Sequence, residues 1–232
     1  MSRPTFNAAC AALAVLGAAV TAPADTLTLA DGREVTATVT GIASGTVSTA
    51  AGETFAADQV RRLRFDRPDI ASYPSGVWLT DGTLLGGALR DLKPTLLTFR
   101  SATRGEIGIP MDRVAVLYFD GPPALPALSA PSNGLMRAVF KAGGFKDGHL
   151  LTVTAGNVLL RLDSGLEKLP IDTLACLVRA LPAAAAEVTL RNGDRLAHVD
   201  WTGNRGTADG GAGPIPLTFD RVRDINFGKT GQ

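Results

Sequence analysis

From residue 25 onward, apolar residues fall at alternate positions in short runs broken by glycine, aspartate and asparagine. "TLTLADGREVTATV" sets Leu27 and Leu29 before an Asp31-Gly32 dipeptide, and Val35, Ala37 and Val39 after it. Period-2 alternation on both sides of Asp-Gly predicts two strands joined by a tight hairpin. Val77 and Leu79 precede Asp81-Gly82 in the same way, and Asp147-Gly148 and Asn192-Gly193 mark the corresponding turns of two later stretches. A type I′ turn, with φ positive at both central residues, is the expected geometry.

Each of these stretches closes on one phrase: "DQVRRLRFD" from Asp58, "DRVAVLYFD" from Asp112, "DTLACLVRA" from Asp172 and "DRVRDINFG" from Asp220. The three-residue step from Val to Leu matches one turn of 3₁₀ helix, and the two-residue step from Leu to Phe matches a strand. A short 3₁₀ turn feeding a last strand is predicted, with the Asp capping the turn's free amides. Val60, Val114, Leu174 and Val222 plug the end of the core in this reading. Leu63, Phe65, Leu117, Phe119, Leu177, Ile225 and Phe227 line it.

Between opening hairpin and closing phrase lie two more strand-like segments, such as "TLLTFRS" and "GEIGIP" in the second stretch. The order of turn, "G-E-I-x-I-P"-type strand and "D-R-V-x-x-L-x-F" resembles SH3-like and Sm-like small barrels. It also resembles tandem repeats of secreted bacterial proteins of unknown function, some of which carry carbohydrate-binding modules. The resemblance implies an all-β fold of four tandem SH3/Sm-like five-stranded units arranged as two pairs. The Pro-rich spacer "GPPALPALSAPSNG" at 121–134 divides them into 25–120 and 135–228. The spacing leaves open whether each unit closes on itself or two share a core. No unit carries the Asp, Asn and Arg-Gly set of the Sm-type RNA pocket, so no nucleic-acid partner is expected.

The N-terminus changes the compartment. Arg3, an Ala-rich apolar run over 8–20 and the small residues of "TAPA" read as a signal peptide, 1–24, cleaved before Asp25. The expected location is periplasmic or extracellular, with no stable membrane span after cleavage. The mature chain then keeps one cysteine, Cys176, which reads as a buried small hydrophobe. The formal net charge of +1 over 232 residues argues against a polyanion held by bulk electrostatics.

Chemistry is sparse. His149 and His198 stand apart from any metal-ligand spacing, no G-x-S-x-G elbow occurs, and the glycine-rich run at 203–214 reads as a flexible loop between strands. No catalytic residue, metal site or cofactor is assigned. The binding candidates are Trp201 and Trp78, as aromatic platforms, and Arg62 and Arg64, from a basic cluster that suits an anionic envelope polymer. The expectation is an exported, non-enzymatic binding or scaffold protein of the cell envelope, with an envelope protein or glycan as partner. The alternative is a carbohydrate- or polymer-binding module.

Overall fold

The computed structural model describes residues 24–124, 128–132, 134–154, 156–183, 187–209 and 213–227. The expected leader therefore lies outside the described residues, apart from Ala24. The fold is all-β: strands, turns and single 3₁₀ turns, with no α-helix among the described residues. No helix among them is long and apolar enough to cross a membrane.

The first stretch contains β1 (Asp25–Leu29), β2 (Glu34–Ala37), β3 (Val39–Ala43), β4 (Thr46–Thr49), β5 (Thr54–Ala56) and β6 (Val60–Arg64). The second contains β7 (Gly76–Leu79), β8 (Leu84–Leu92), β9 (Leu96–Ser101), β10 (Gly105–Pro110) and β11 (Val114–Tyr118). The third contains β12 (Met136–Phe140), β13 (Phe145–Val153), β14 (Asn157–Leu162), β15 (Gly165–Pro170) and β16 (Leu174–Val178). The fourth contains β17 (Val188–Leu190), β18 (Arg195–Leu196), β19 (Val199–Thr202), β20 (Arg205–Asp209), β21 (Pro214–Thr218) and β22 (Val222–Asn226). In every stretch the last strand returns antiparallel to the first: β6 to β1, β11 to β7, β16 to β12 and β22 to β17.

The four closing phrases form 3₁₀ turns at Ala57–Gln59, Met111–Arg113, Ile171–Thr173 and Phe219–Arg221, each followed directly by a strand. The capping role expected of Asp58, Asp112, Asp172 and Asp220 is not what the turns use. Each Asp is the second residue of its turn, and the cap positions Ala56, Pro110, Pro170 and Thr218 carry no side-chain cap hydrogen bond. A carboxylate one residue inside the turn has passed the amides that a cap would serve.

The hairpins also differ from expectation. Among the described residues only Ser44 and glycines have positive φ, so Asp31, Asp81 and Asn192 do not occupy type I′ geometry. Instead the amide of Gly32 donates to the carbonyl of Leu29 at 3.0 Å, and the amide of Leu29 donates to that of Arg33 at 2.8 Å. This is the three-residue loop in which one glycine takes the left-handed position. In the third stretch the turn is not at Asp147-Gly148, which lies within β13 opposite Arg137 and Met136. Gly143 and Gly144, at φ 94° and 81°, make that turn, because they supply the positive φ four residues earlier. The glycine-rich run is not one loop either, since Arg205–Asp209 within it is β20, paired to β19 and β21.

One 16-stranded sheet unites the stretches. β6 pairs with β22, β11 with β16, and β8 touches both β18 and β13. The closing strands thus join first to fourth and second to third, across the spacer. One apolar cluster runs through all four stretches and includes Leu27, Leu63, Val77, Leu117, Ala138, Leu177, Val188 and Ile225. Of the core expected from the phrases, Phe119 and Phe227 are only half-buried against this cluster. A second cluster, with Trp78, Leu84, Val116, Tyr118, Cys176 and Val178, lies on the other face of the sheet, and Leu128 of the spacer packs on it.

Candidate functional site

The site follows from cross-strand register. Thr26 sits opposite Thr36 on one side and Arg64 on the other; Arg64 opposes Asp224, Asp224 opposes Thr189, and Thr189 opposes Arg195. Arg195 then meets Leu84, and the row continues through Trp78, Val116 and Val178 to Arg137 and Asp147. Directly opposed residues share a face, so this row is one stripe across the sheet. Its half built on the first and fourth stretches is polar. Its half on the second and third is apolar from Leu84 to Val178, within the second cluster, and ends on the Arg137–Asp147 ion pair.

Where the halves meet, a cavity of about 400 Å³ opens, lined by Arg62, Trp78, Gly82, Thr189, Arg195, Arg223, Asp224 and Asn226. Asp224 is buried and anchors two of the arginines. Arg62 Nη2 lies 2.7 Å and Nε 3.0 Å from Asp224 Oδ1, and Arg223 Nε lies 3.0 Å from Oδ2. Arg223 Nη1 also reaches Asp69 at 3.4 Å. Arg195 is exposed, and no carboxylate pairs with it among the described residues. Three guanidinium groups against one lining carboxylate leave the cleft positive, and low-dielectric walls concentrate that field.

Trp78 is buried beside the cleft, with its indole N–H donating to the carbonyl of Gly82 at 3.1 Å. It therefore contributes a wall and not an exposed platform. Arg62 and Arg64 share an adjoining cavity of about 370 Å³ with Thr26, Thr28, Glu34 and Asp66. Trp201 is elsewhere, on β19, half-buried and 5.2 Å from the ring of Phe219; its buried Nε1 has no hydrogen-bond partner among the described residues. The fold thus brings Arg64 and Trp78 to one stripe, sets Arg62 in the row beside it on the same face, and leaves Trp201 apart.

Arg195 and Arg223 were not singled out in the sequence. The available signal was positional: Arg223 occupies the same place in its closing phrase as Arg61. Arg195 gave none, because its place at the cleft depends on β18 lying between β17 and β8, a pairing across stretches.

Two titratable groups flank this region. His198 Nδ1 lies 3.1 Å from Glu187 Oε2, and its Nε2 lies 3.2 Å from Asp200 Oδ1. Burial works against its charged form, but the two carboxylates outweigh it and raise the imidazole above its ordinary range. Burial pushes the Glu187 carboxyl up despite His198. The carboxylates sit on opposite nitrogens of the ring, which is a charge clamp and not a shared ligand set. Asp194 is fully buried under the fourth hairpin, where it accepts from Gly86 N at 2.6 Å, from the hydroxyl of Thr103 and from Asn192 Nδ2 at 3.1 Å. It fastens the fourth stretch to the second and so holds Arg195 at the cleft. In comparison with known proteins, no family model, no curated protein and no solved structure matches this chain.

Proposed function

We propose that this chain is an exported, non-enzymatic binding protein of the cell envelope, built from four SH3-like or Sm-like units, whose ligand surface is the Arg62–Arg195–Arg223 cleft. The ligand class is an anionic glycan or related acidic polymer. One observation carries the reading: an exposed arginine without a carboxylate partner among the described residues stands in a cleft whose other arginines are already oriented by Asp224. Guanidinium forks suit carboxylate, sulfate and phosphate oxygens, and Thr189 and Asn226 offer hydrogen bonds to neighbouring hydroxyls.

Scaffolding through free strand edges is the weaker reading. The end strands of the long sheet are β2, β15 and, on the branch that leaves β8 through β9, β10, which carries Glu106 and Pro110. β2 is four residues long and opens with Glu34, while β15 carries Glu167, Lys168 and Pro170. Charge, proline and short length are the features that blunt an edge against partner strands.

The test is co-sedimentation and calorimetry of the mature protein with alginate and with neutral dextran. Alginate binding that weakens with salt and falls at least tenfold in Arg195→Glu is expected. Equal binding to dextran, or alginate binding unchanged by Arg195→Glu, overturns the reading.

A further inference from the structure

We infer that a second site, at the junction of the second and third stretches, takes a small carboxylic acid with an apolar tail. A cavity of about 370 Å³ opens there, away from the arginine cleft. Its walls come from different parts of the chain: Thr95 and Met111 from the second stretch, Met136, His149 and Leu150 from the third, and Arg179 just beyond β16. Such a volume is of the size that holds a small organic ligand.

The lining combines two kinds of chemistry. Met111 and Met136 are almost fully buried, and Leu150 is half-buried beside them. Methionine side chains are unbranched and polarizable, so a wall of two adapts to chains of different shape. In the same lining Arg179 is held by its backbone, whose amide donates to the carbonyl of Ala115 at 2.8 Å. Its Nη1 donates to the carbonyl of Asp112 at 3.1 Å. A carbonyl orients a guanidinium without neutralising it. No carboxylate forms an ion pair with Arg179 among the described residues, although the Asp112 residue lines the same cavity.

A half-buried cation fixed beside an apolar wall selects among ligands by what each leaves unsatisfied. An alcohol or alkane covers the methionines and leaves the charge unpaired. A short acid pairs the charge and leaves the wall wet. A polyanion brings excess charge beside Asp112. A monocarboxylate with a flexible alkyl tail meets both requirements at once, and His149 and Thr95 add polar groups to the same lining.

Decanoate at monomeric concentrations is the probe, with decanol and acetate as controls, measured by calorimetry on the whole mature protein. Decanoate binding at least tenfold tighter than either control is expected, falling at least tenfold in Arg179→Gln. Leu150→Gln serves as a second variant should Arg179→Gln fail to fold, and it weakens decanoate while leaving acetate unchanged. Arg195→Gln leaves decanoate binding as it was, so a failure here and a failure of the cleft are told apart. No decanoate binding, acetate binding as tight as decanoate, or affinity unmoved by Arg179→Gln and Leu150→Gln each overturns the inference.

Discussion

Leu63 lies directly opposite Ile225 where β6 and β22 meet, and the two hold the same position in the repeated closing phrase. Leu117 and Leu177 repeat the relationship across β11 and β16. An antiparallel pair in which equivalent residues face each other has a local twofold axis, as in a self-complementary dimer interface. The phrase is therefore both the closing strand of each stretch and the seam between stretches. One set of residues must satisfy both, which accounts for its repetition.

Truncating the seam is expected to be costly. Leu177 is fully buried and lies opposite both Leu117 and Ala138. Leu177→Ala should lose about 2–5 kcal/mol by urea denaturation, from lost transfer energy and the cavity left behind. A loss below 1 kcal/mol would mean that the seam repacks around alanine.

Gly76 is required by its neighbours. A Cβ there would sit 2.2 Å from the Tyr118 hydroxyl and 2.4 Å from the carbonyl of Leu85. The tyrosine can swing only by disturbing the second cluster, and the carbonyl belongs to β8. Gly76→Ala should destabilise by about 1–3 kcal/mol or prevent accumulation of folded protein. Thermal unfolding of the purified variant checks this.

Asp194→Ala should separate the fourth stretch from the second. The substitution strands the buried Gly86 amide, at a cost of roughly 1–3 kcal/mol, and removes the acceptor of the half-buried Thr103 hydroxyl. Burial also raises the Asp194 carboxyl above 3.8. The native state then holds this proton more tightly, and the group's contribution to stability falls as pH rises from 3.8 through the raised value. Denaturation series at pH 4 and pH 7 on both proteins should show the wild type losing more on this interval than Asp194→Ala.

His198 gives a slope in a different window. Its raised value means that Glu187 and Asp200 stabilise the charged ring in the folded state. That contribution is complete below 6.5 and is lost as pH rises through the folded value. The effect is small, because the side chain is largely exposed and solvent screens it. His198→Gln should flatten the melting temperature between pH 6 and pH 8, and an unchanged profile would remove the clamp.

Cys176 should be inert in the folded protein. Burial pushes its thiol up to about 11, so little thiolate exists at neutral pH. A thiol reagent such as DTNB is expected to react only after denaturation. Stoichiometric labelling of the native protein would contradict the burial seen here.

The sequence by itself determined the local structure. Alternation predicted the strands, and the spacing within the closing phrase predicted 3₁₀ turn followed by strand at all four positions, because both periods depend on residues a few bonds apart. It misplaced the third hairpin: Asp147-Gly148 carries the stronger turn dipeptide, yet Lys141-Ala142-Gly143 makes the turn, closed between Phe140 and Gly144, and leaves Gly148 inside β13, where a Cβ would meet Leu162 at 2.6 Å. Close approach of a neighbouring strand is a non-local condition, invisible to a dipeptide rule. Only the tertiary structure decided which closing strands pair, which placed Arg195 beside Arg62 although 133 positions separate them in the chain (195 − 62). Trp78 and Trp201 shared the same strand-like context in the sequence; burial under the second cluster and against Phe219 separated their surroundings. Pairing partners are set by total buried area and register across the whole sheet, and no short stretch of sequence contains that sum.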